Sequence, residues 1–267
     1  MPKTDFSNVR LICSDIDGTL LKGENELPEA IKREILRLNE QGIAFTFSTG
    51  RVPYEVDHLF EGIPNQVPYV AGNGAIVKCD NALLAEYHFE PQTLKPLVQK
   101  YSDLGVTVIF TVGEQERPYR LTPWAMENVG LFPGLDFPVD ESIWSTPLQR
   151  MFFYHPEGLH LQACRRDLKQ YEREYAVSFQ NRKSIQIAPY GCTKASGIRM
   201  LSRLLGIQRE QILCIGDANN DLEMIRYAGI GVAVSNASSE LKDAADYVTS
   251  RPCADGVAEV LEKCGRN

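Results

Sequence analysis

A short apolar run, Val9-Arg10-Leu11-Ile12-Cys13-Ser14, stops abruptly at Asp15-Ile16-Asp17-Gly18-Thr19. An apolar run this short reads as a buried strand, and strands buried on both faces belong mainly to parallel sheets covered by helices. The following segments fit that class. Pro28 suits the first turn of a helix, Ile31, Ile35 and Leu38 recur at helical spacing, and Gln41-Gly42 closes it. A second strand, Ile43 to Phe47, ends in Ser48-Thr49-Gly50-Arg51, and short strands follow around Tyr69–Ala71 and Ala75–Val77, before the acidic and aromatic stretch Leu83–Phe89. Strand–helix–strand alternation of this kind predicts an α/β fold with a parallel sheet.

The middle third changes character. Strand-like runs (Val106–Thr111, Met151–Tyr154, Ala176–Gln180, Ser184–Ala188) alternate with helical stretches at Gln92–Leu104 and Leu159–Glu174. Both tryptophans, Trp124 and Trp144, and prolines 118, 123, 133, 138 and 147 fall here, which predicts an inserted α/β domain with irregular connections. Regular alternation then resumes, with helices at Lys194–Leu205, Asn219–Ala228 and Ser238–Ala244 and strands at Gln211–Ile215 and Ile230–Val234. A short strand near Tyr247 and a helix from Gly256 complete it.

Composition narrows the function. With 28 Lys and Arg against 35 Asp and Glu in 267 residues, the net charge is −7, so a phosphate-backbone binder with its concentrated basic face is not expected. No stretch approaches the roughly 18 apolar residues of a membrane span. The amino terminus lacks the apolar core of a signal peptide. Seven scattered cysteines without a Cys-x-x-Cys pair read as reduced thiols of a cytoplasmic protein.

Polar chemistry collects where a parallel sheet binds ligands, at the carboxyl ends of its strands. Asp15 and Asp17 follow the first strand, Thr49-Gly50-Arg51 the second, and Gly216-Asp217-Ala218-Asn219-Asn220-Asp221 the strand ending at Ile215; Gly191-Cys192-Thr193-Lys194 opens a helix. Singly, each has a plainer reading: a turn, a strand exit with a surface arginine, an N-cap before a solvated lysine, a helix cap. Their joint occurrence in one chain, in this order, points to a site.

Taken together, Asp15-Ile16-Asp17-Gly18-Thr19-Leu20-Leu21, Thr49-Gly50-Arg51, Asn73-Gly74-Ala75, Lys194, Gly216–Asp221 and Asp255-Gly256-Val257 resemble the Cof-type group of the haloacid dehalogenase superfamily of phosphohydrolases. The resemblance spans nearly the whole chain. It implies a Rossmann-like core at residues 1–84 and 188–267 and an inserted α/β cap at 85–187 that selects the substrate. It implies Asp15 as nucleophile, forming an aspartyl-phosphate, and Asp17 as the acid and then base, with the bend after the strand giving the two carboxylates different environments. Mg²⁺, a hard oxygen-seeking ion, would be held by the Asp15 carboxylate, the Asp17 backbone carbonyl and the Asp217 side chain.

The same resemblance makes Thr49, Gly50, Asn73, Lys194 and Asn220 contacts to the substrate, with Lys194 also neutralising charge on Asp15 and the transferring group. Asn220 and Asp221 would orient the metal's surroundings and Lys194. Thr49 is preferred to Ser48 because it directly precedes Gly-Arg. Ala195 departs from the family's usual glycine after the lysine. Arg51 reads equally as a substrate contact or a structural ion pair. In the cap, the aromatics are expected to fill the core and the charges of Gly113-Glu114-Gln115-Glu116-Arg117 to be solvated; His88, His155 and His160 read as surface or packing residues. Hinges are expected near Leu84–Tyr87 and Gln186–Pro189.

The resulting expectation is a cytoplasmic Mg²⁺-dependent phosphatase of a small phosphorylated metabolite, a sugar phosphate or a cofactor such as pyridoxal phosphate or flavin mononucleotide. The alternatives are a sugar phosphomutase on the same scaffold and a non-catalytic phosphate-binding module. Dehalogenase chemistry is disfavoured because that branch needs no acid at Asp17, and phosphonate cleavage because no cap lysine can be identified.

Overall fold

The computed structural model describes residues 4–23, 26–63, 67–80, 82–113, 115–128, 134 and 137–265. The chain forms two compact units, Met1–Ala85 with Thr193–Asn267, and Glu86–Cys192. The elements begin with β1 (Leu11–Ser14), α1 (Glu29–Glu40), β2 (Ala44–Phe47), β3 (Tyr69–Ala71), β4 (Ile76–Cys79) and β5 (Ala82–Glu86). There follow α2 (Lys95–Asp103), β6 (Thr107–Val112), β7 (Gln115–Pro118), α3 (Pro123–Glu127), β8 (Arg150–Tyr154), α4 (Leu161–Leu168), β9 (Tyr175–Asn181) and β10 (Ser184–Pro189). The chain closes with α5 (Lys194–Leu205), β11 (Ile212–Gly216), α6 (Leu222–Tyr227), β12 (Ile230–Ala233), α7 (Ser239–Ala244), β13 (Tyr247–Val248) and α8 (Cys253–Leu261).

In the first unit a parallel sheet runs β13-β12-β11-β1-β2. β1 lies between β11 and β2, with Cys13 opposite Cys214 on one side and Thr46 on the other. All four residues of β1 and all five of β11 are buried, which is why both read as unbroken apolar runs rather than alternating ones. A bridge between Ser48 and Val70 carries the sheet's edge on toward β3. Helix α1 buries Ile31, Ile35 and Leu38, the stripe its spacing predicts. Helix α5 opens with a reciprocal cap: the Thr193 hydroxyl accepts the Ser196 N–H, and the Ser196 hydroxyl accepts the Thr193 N–H at 3.0 Å. It closes at Gly206 in the left-handed conformation.

Two helix starts differ from expectation. The helix expected from Asn219 begins as a 3-10 turn, Asn219–Asp221, before α6, because the Asp221 carboxylate captures the Asp217 and Ala218 N–H groups, each at 3.0 Å. The last helix starts at Cys253, three residues before the expected Gly256.

The second unit is an antiparallel sheet, β7-β6-β8-β10-β9. Its core joins Val108, Phe110, Met151, Phe153, Ile185 and Ile187 of the sheet to Leu97, Val98 and Tyr101 of α2 and Leu161, Cys164 and Leu168 of α4. Trp144 belongs to this core, edge-on to Phe110 at 5.7 Å. Trp124 packs beside Ile109 and Ala125. β7 and α3 are not apparent in the sequence pattern, and the helix expected over Leu159–Glu174 is shorter, α4 followed by a 3-10 turn at Lys169–Tyr171. His155 accepts the Glu157 and Leu159 N–H groups through Nδ1, and His160 precedes α4 with φ +62°, so both serve local turns.

Glu116 was expected to be solvated but is fully buried, ion-paired with Arg150 and bonded by the Thr111 hydroxyl at 3.4 Å. Glu116 and Arg150 lie on the two strands that flank β6, each opposite Thr111, and the arginine makes tolerable a buried charge that would be costly alone. Gln186–Pro189, expected to be a hinge, is paired strand, with Gln186 opposite Ser178 and Pro189 opposite Tyr175. Glu114 and Pro133 lie outside the described residues. Among those residues no helix is long and apolar enough to cross a membrane.

Gly197 lets α5 approach β3: a Cβ there would lie 2.4 Å from Val70 Cγ1. Gly197→Ala is therefore expected to lower unfolding free energy by about 1–3 kcal/mol in urea titrations, the usual cost of overpacking. Val70→Ala in the same chain should recover part of that loss, whereas no recovery would mean that the clash is not the cause.

Candidate active site

The strand exits of the first unit bring the predicted residues to one end of the sheet. Asp15 directly follows β1, and its N–H continues the ladder to the Ile215 carbonyl at 2.9 Å. The chain then turns sharply, with Leu20 and Leu21 both donating to the Ile16 carbonyl at 2.8 Å. Gly18 takes φ +86°, and a Cβ there would lie 2.5 Å from Asp217 Oδ2, so only glycine lets this loop pass against that carboxylate. Thr19 donates to the other oxygen of Asp217 at 2.9 Å.

Lys194, the first residue of α5, is buried and donates to Asp15 Oδ1 at 2.5 Å and Asp221 Oδ1 at 2.6 Å. The remaining oxygen of Asp221 holds the Asp217 and Ala218 N–H groups. The carboxylates of Asp15, Asp217 and Asp221 thus offer oxygens within 4.8 Å of one another. Burial holds Asp15 well above the usual carboxylate range against the pull of the Lys194 ammonium, and Asp221 and Asp217 add to the rise. Asp217 is also raised, by burial and by Asp221, with the Thr19 hydrogen bond and Lys194 opposing. For Lys194 burial acts downward, yet Asp15 and Asp221 outweigh it and keep the ammonium charged.

Three carboxylates around one ammonium leave an excess of negative charge in a poorly solvated place. An all-oxygen donor set with that excess fits a hard divalent cation such as Mg²⁺. Two of the three residues, Asp15 and Asp217, are among those expected as ligands. Asp221 joins the cluster although both its oxygens already hold other groups. The side chain of Asp17 points elsewhere, into an ion pair with Arg51.

Thr49 is buried where β2 ends. Its N–H donates to the Val70 carbonyl and its carbonyl accepts the Asn73 N–H, both at 2.9 Å, so the exits of β2 and β3 are tied together. Asn73 has φ +53° and ψ 40°, a left-handed conformation that asparagine tolerates. Its Oδ1 accepts Asn220 Nδ2 at 3.3 Å, joining this corner to the Asp217–Asp221 loop. Next to it Gly74 passes under the start of α5, where a Cβ would lie 2.1 Å from the Thr193 carbonyl oxygen.

Two side chains to which the sequence pattern gives no role complete the arrangement. One is Thr19, described above. The other is Asn236, just beyond β12, whose Nδ2 donates to the Gly18 carbonyl at 2.8 Å and whose Oδ1 accepts the Cys253 N–H at 2.9 Å. A signal for Asn236 was present, since Val234-Ser235-Asn236 is one more strand exit ending in a polar residue.

Comparison with known proteins places this arrangement in a family. The model of the haloacid dehalogenase-like hydrolases matches residues 12–261. The chain is 27% identical over 267 residues to the 5-amino-6-(5-phospho-D-ribitylamino)uracil phosphatase YbjI of Escherichia coli, covering 96% of each protein. It is 26% identical to the HMP-PP phosphatase of Cronobacter sakazakii, covering 87% of this chain and 86% of that one. Among solved structures, a haloacid dehalogenase-like hydrolase from Bacteroides thetaiotaomicron superposes with a TM-score of 0.78 at 24% identity, covering 96% of this chain and 99% of the other. With its parallel sheet, its strand-end acids and a family match over most of its length, the chain belongs to the haloacid dehalogenase-like hydrolases.

Proposed function

We propose that this protein is a cytoplasmic Mg²⁺-dependent phosphatase that hydrolyses small phosphomonoesters through an aspartyl-phosphate on Asp15. The observation that carries this reading is the buried contact of Lys194 with Asp15 and Asp221 beside Asp217. A carboxylate kept out of water, with one oxygen held by an ammonium, is oriented for attack by the other.

In the first half-reaction an Asp15 oxygen attacks phosphorus and the P–O bond to the leaving group breaks. Asp17 gives the departing oxygen a proton. In the second, water attacks the same phosphorus while Asp17 takes its proton, and inorganic phosphate leaves with Asp15 regenerated. Lys194 orients Asp15 and offsets charge on the transferring group, and Thr49, Gly50, Asn73 and Asn220 hold phosphate oxygens. Asp221 positions Lys194 and the Asp217 loop. Asp15, Asp217 and the Asp17 carbonyl would hold Mg²⁺, which when bound supplies the positive charge that offsets repulsion between nucleophile and phosphate.

The unit Glu86–Cys192 acts as the cap that selects the substrate. The relatives point to its class: YbjI is named for a phosphoribitylaminouracil and the Cronobacter enzyme for HMP-PP, both small phosphorylated metabolites. Sugar phosphates and phosphorylated cofactors such as pyridoxal phosphate and flavin mononucleotide are the substrates to test. The seven free thiols accord with a reducing cytoplasm.

Phosphate release from a panel of such esters should require Mg²⁺ and stop on chelation. Asp15→Asn should lower kcat by about 10³-fold or more, the scale of losing a nucleophile, with circular dichroism unchanged. Turnover that survives this substitution would sink the mechanism, and release that needs a sugar bisphosphate activator would mark a mutase.

Lys194→Met leaves Asp15 and Asp221 buried without their cation, and should cost about 3–5 kcal/mol of stability near neutral pH in metal-free buffer. The sign with pH follows from Asp15. A carboxyl whose pKa is raised on folding favours the fold below its unfolded pKa and loses that contribution as pH rises. Lys194→Met removes the ammonium that opposes this rise, so Asp15 is driven further up in the variant, which should lie closer to wild type at about pH 5 than at about pH 8; a gap that widens in acid would contradict this.

A further inference from the structure

We propose that Arg51 is the positioning residue for Asp17: its guanidinium occupies one lone pair on each carboxyl oxygen and fixes the plane of the group, so that a proton carried on a lone pair the arginine leaves free is aimed at the leaving oxygen. The inference rests on the aspartyl-phosphate reading and deepens it.

Asp17 sits on a tight turn with its side chain 58% exposed, where an isolated carboxylate rotates freely. Here both of its oxygens are taken by one planar group. Arg51 Nε donates to Oδ2 at 2.9 Å and Nη2 to Oδ1 at 2.6 Å, the paired geometry that fixes a carboxylate's plane as well as its position. The arginine side chain is only 15% exposed and is itself held. Its Nη1 donates to the Glu55 carbonyl at 3.4 Å, and the Arg51 backbone N–H donates to the Thr49 hydroxyl at 3.1 Å. The Glu55 carboxylate accepts the Val52 N–H at 2.9 Å, closing the turn that carries both residues.

Thr49 and Arg51 therefore share one rigid piece of backbone. It sets the proposed phosphate contact and the proposed acid in a single frame. Lysine, a point charge without a fork, would attract Asp17 without setting its plane.

The test compares kcat/KM for p-nitrophenyl phosphate, whose leaving group departs without a proton, with kcat/KM for glycerol phosphate, whose alkoxide needs one. This parameter stops at leaving-group departure, so the later role of Asp17 as base does not enter. Arg51→Met should lose about a hundredfold on glycerol phosphate, the low end of general-acid contributions, and less than about threefold on p-nitrophenyl phosphate. Asp17→Asn should show the same split, Arg51→Lys should recover little, and the double variant should be no worse than Asp17→Asn alone. Equal losses on both esters, as expected if Arg51 binds substrate or only supports the fold, would overturn the proposal, as would additive losses in the double variant.

A wild type inert on both esters, or an active Asp15→Asn, would instead refute the phosphatase reading. Crystal structures of the wild type and Arg51→Met decide the role of Arg51 in that case. A displaced Asp17 carboxylate in the variant supports positioning, and an unmoved one overturns it.

Discussion

The ammonium of Lys194 lies between the carboxylates of Asp15 and Asp221, and much of the first unit can be understood from what that contact requires. A buried lysine is costly unless its charge is met, and buried carboxylates are costly for the same reason. Meeting both needs brings together a strand exit from the start of the chain, a helix start from its last third, and the loop after β11. The helix start is fixed by the Thr193–Ser196 cap, and its approach is possible because Gly74 and Gly197 present no side chain beneath it. Small residues and a cap thus serve one electrostatic contact.

Around that contact the loops are tied to each other. Asp217 receives Thr19 and presses on Gly18, Asn236 holds the Gly18 carbonyl, and Asn220 reaches Asn73, which is in turn bonded to Thr49. Charges and phosphate-sized anions are handled best by groups that need no rearrangement on binding, and such cross-ties provide that rigidity. Arg51 extends the same logic to Asp17, the one proposed reacting group that lies on an exposed turn.

The second unit follows other rules. Its sheet is antiparallel, covered on one face by α2 and α4, and its core is rich in aromatic residues. The Glu116–Arg150 pair is buried within it, and nothing in the local sequence distinguishes Glu116 from the exposed Gln115 beside it as the residue to be buried. Burial of a charge depends on a partner 34 residues away, on the far side of β6, and no short-range pattern carries that information. For the same reason β7 carries no sequence signal: Gln-Glu-Arg-Pro has no strand-like alternation, and its pairing with β6 decides its conformation.

The alternation of the first unit and the identity of its chemical groups are written in the local sequence. Apolar strands, amphipathic helices, caps and strand-end acids are set by neighbours within a few residues, so β1, α1, β2, α5 and β11 are legible to within two residues, as are the positions of Asp15, Thr49 and Asp217 at strand ends and of Lys194 at a helix start. The tertiary structure decided the partners. That Asp17 faces Arg51, that Asp221 shares Lys194 with Asp15, that Thr19 and Asn236 brace the Gly18 turn, and that Glu116 is buried all depend on contacts between residues far apart in the chain. Local propensity sets conformation residue by residue, whereas charge pairing and burial are settled only when distant segments meet.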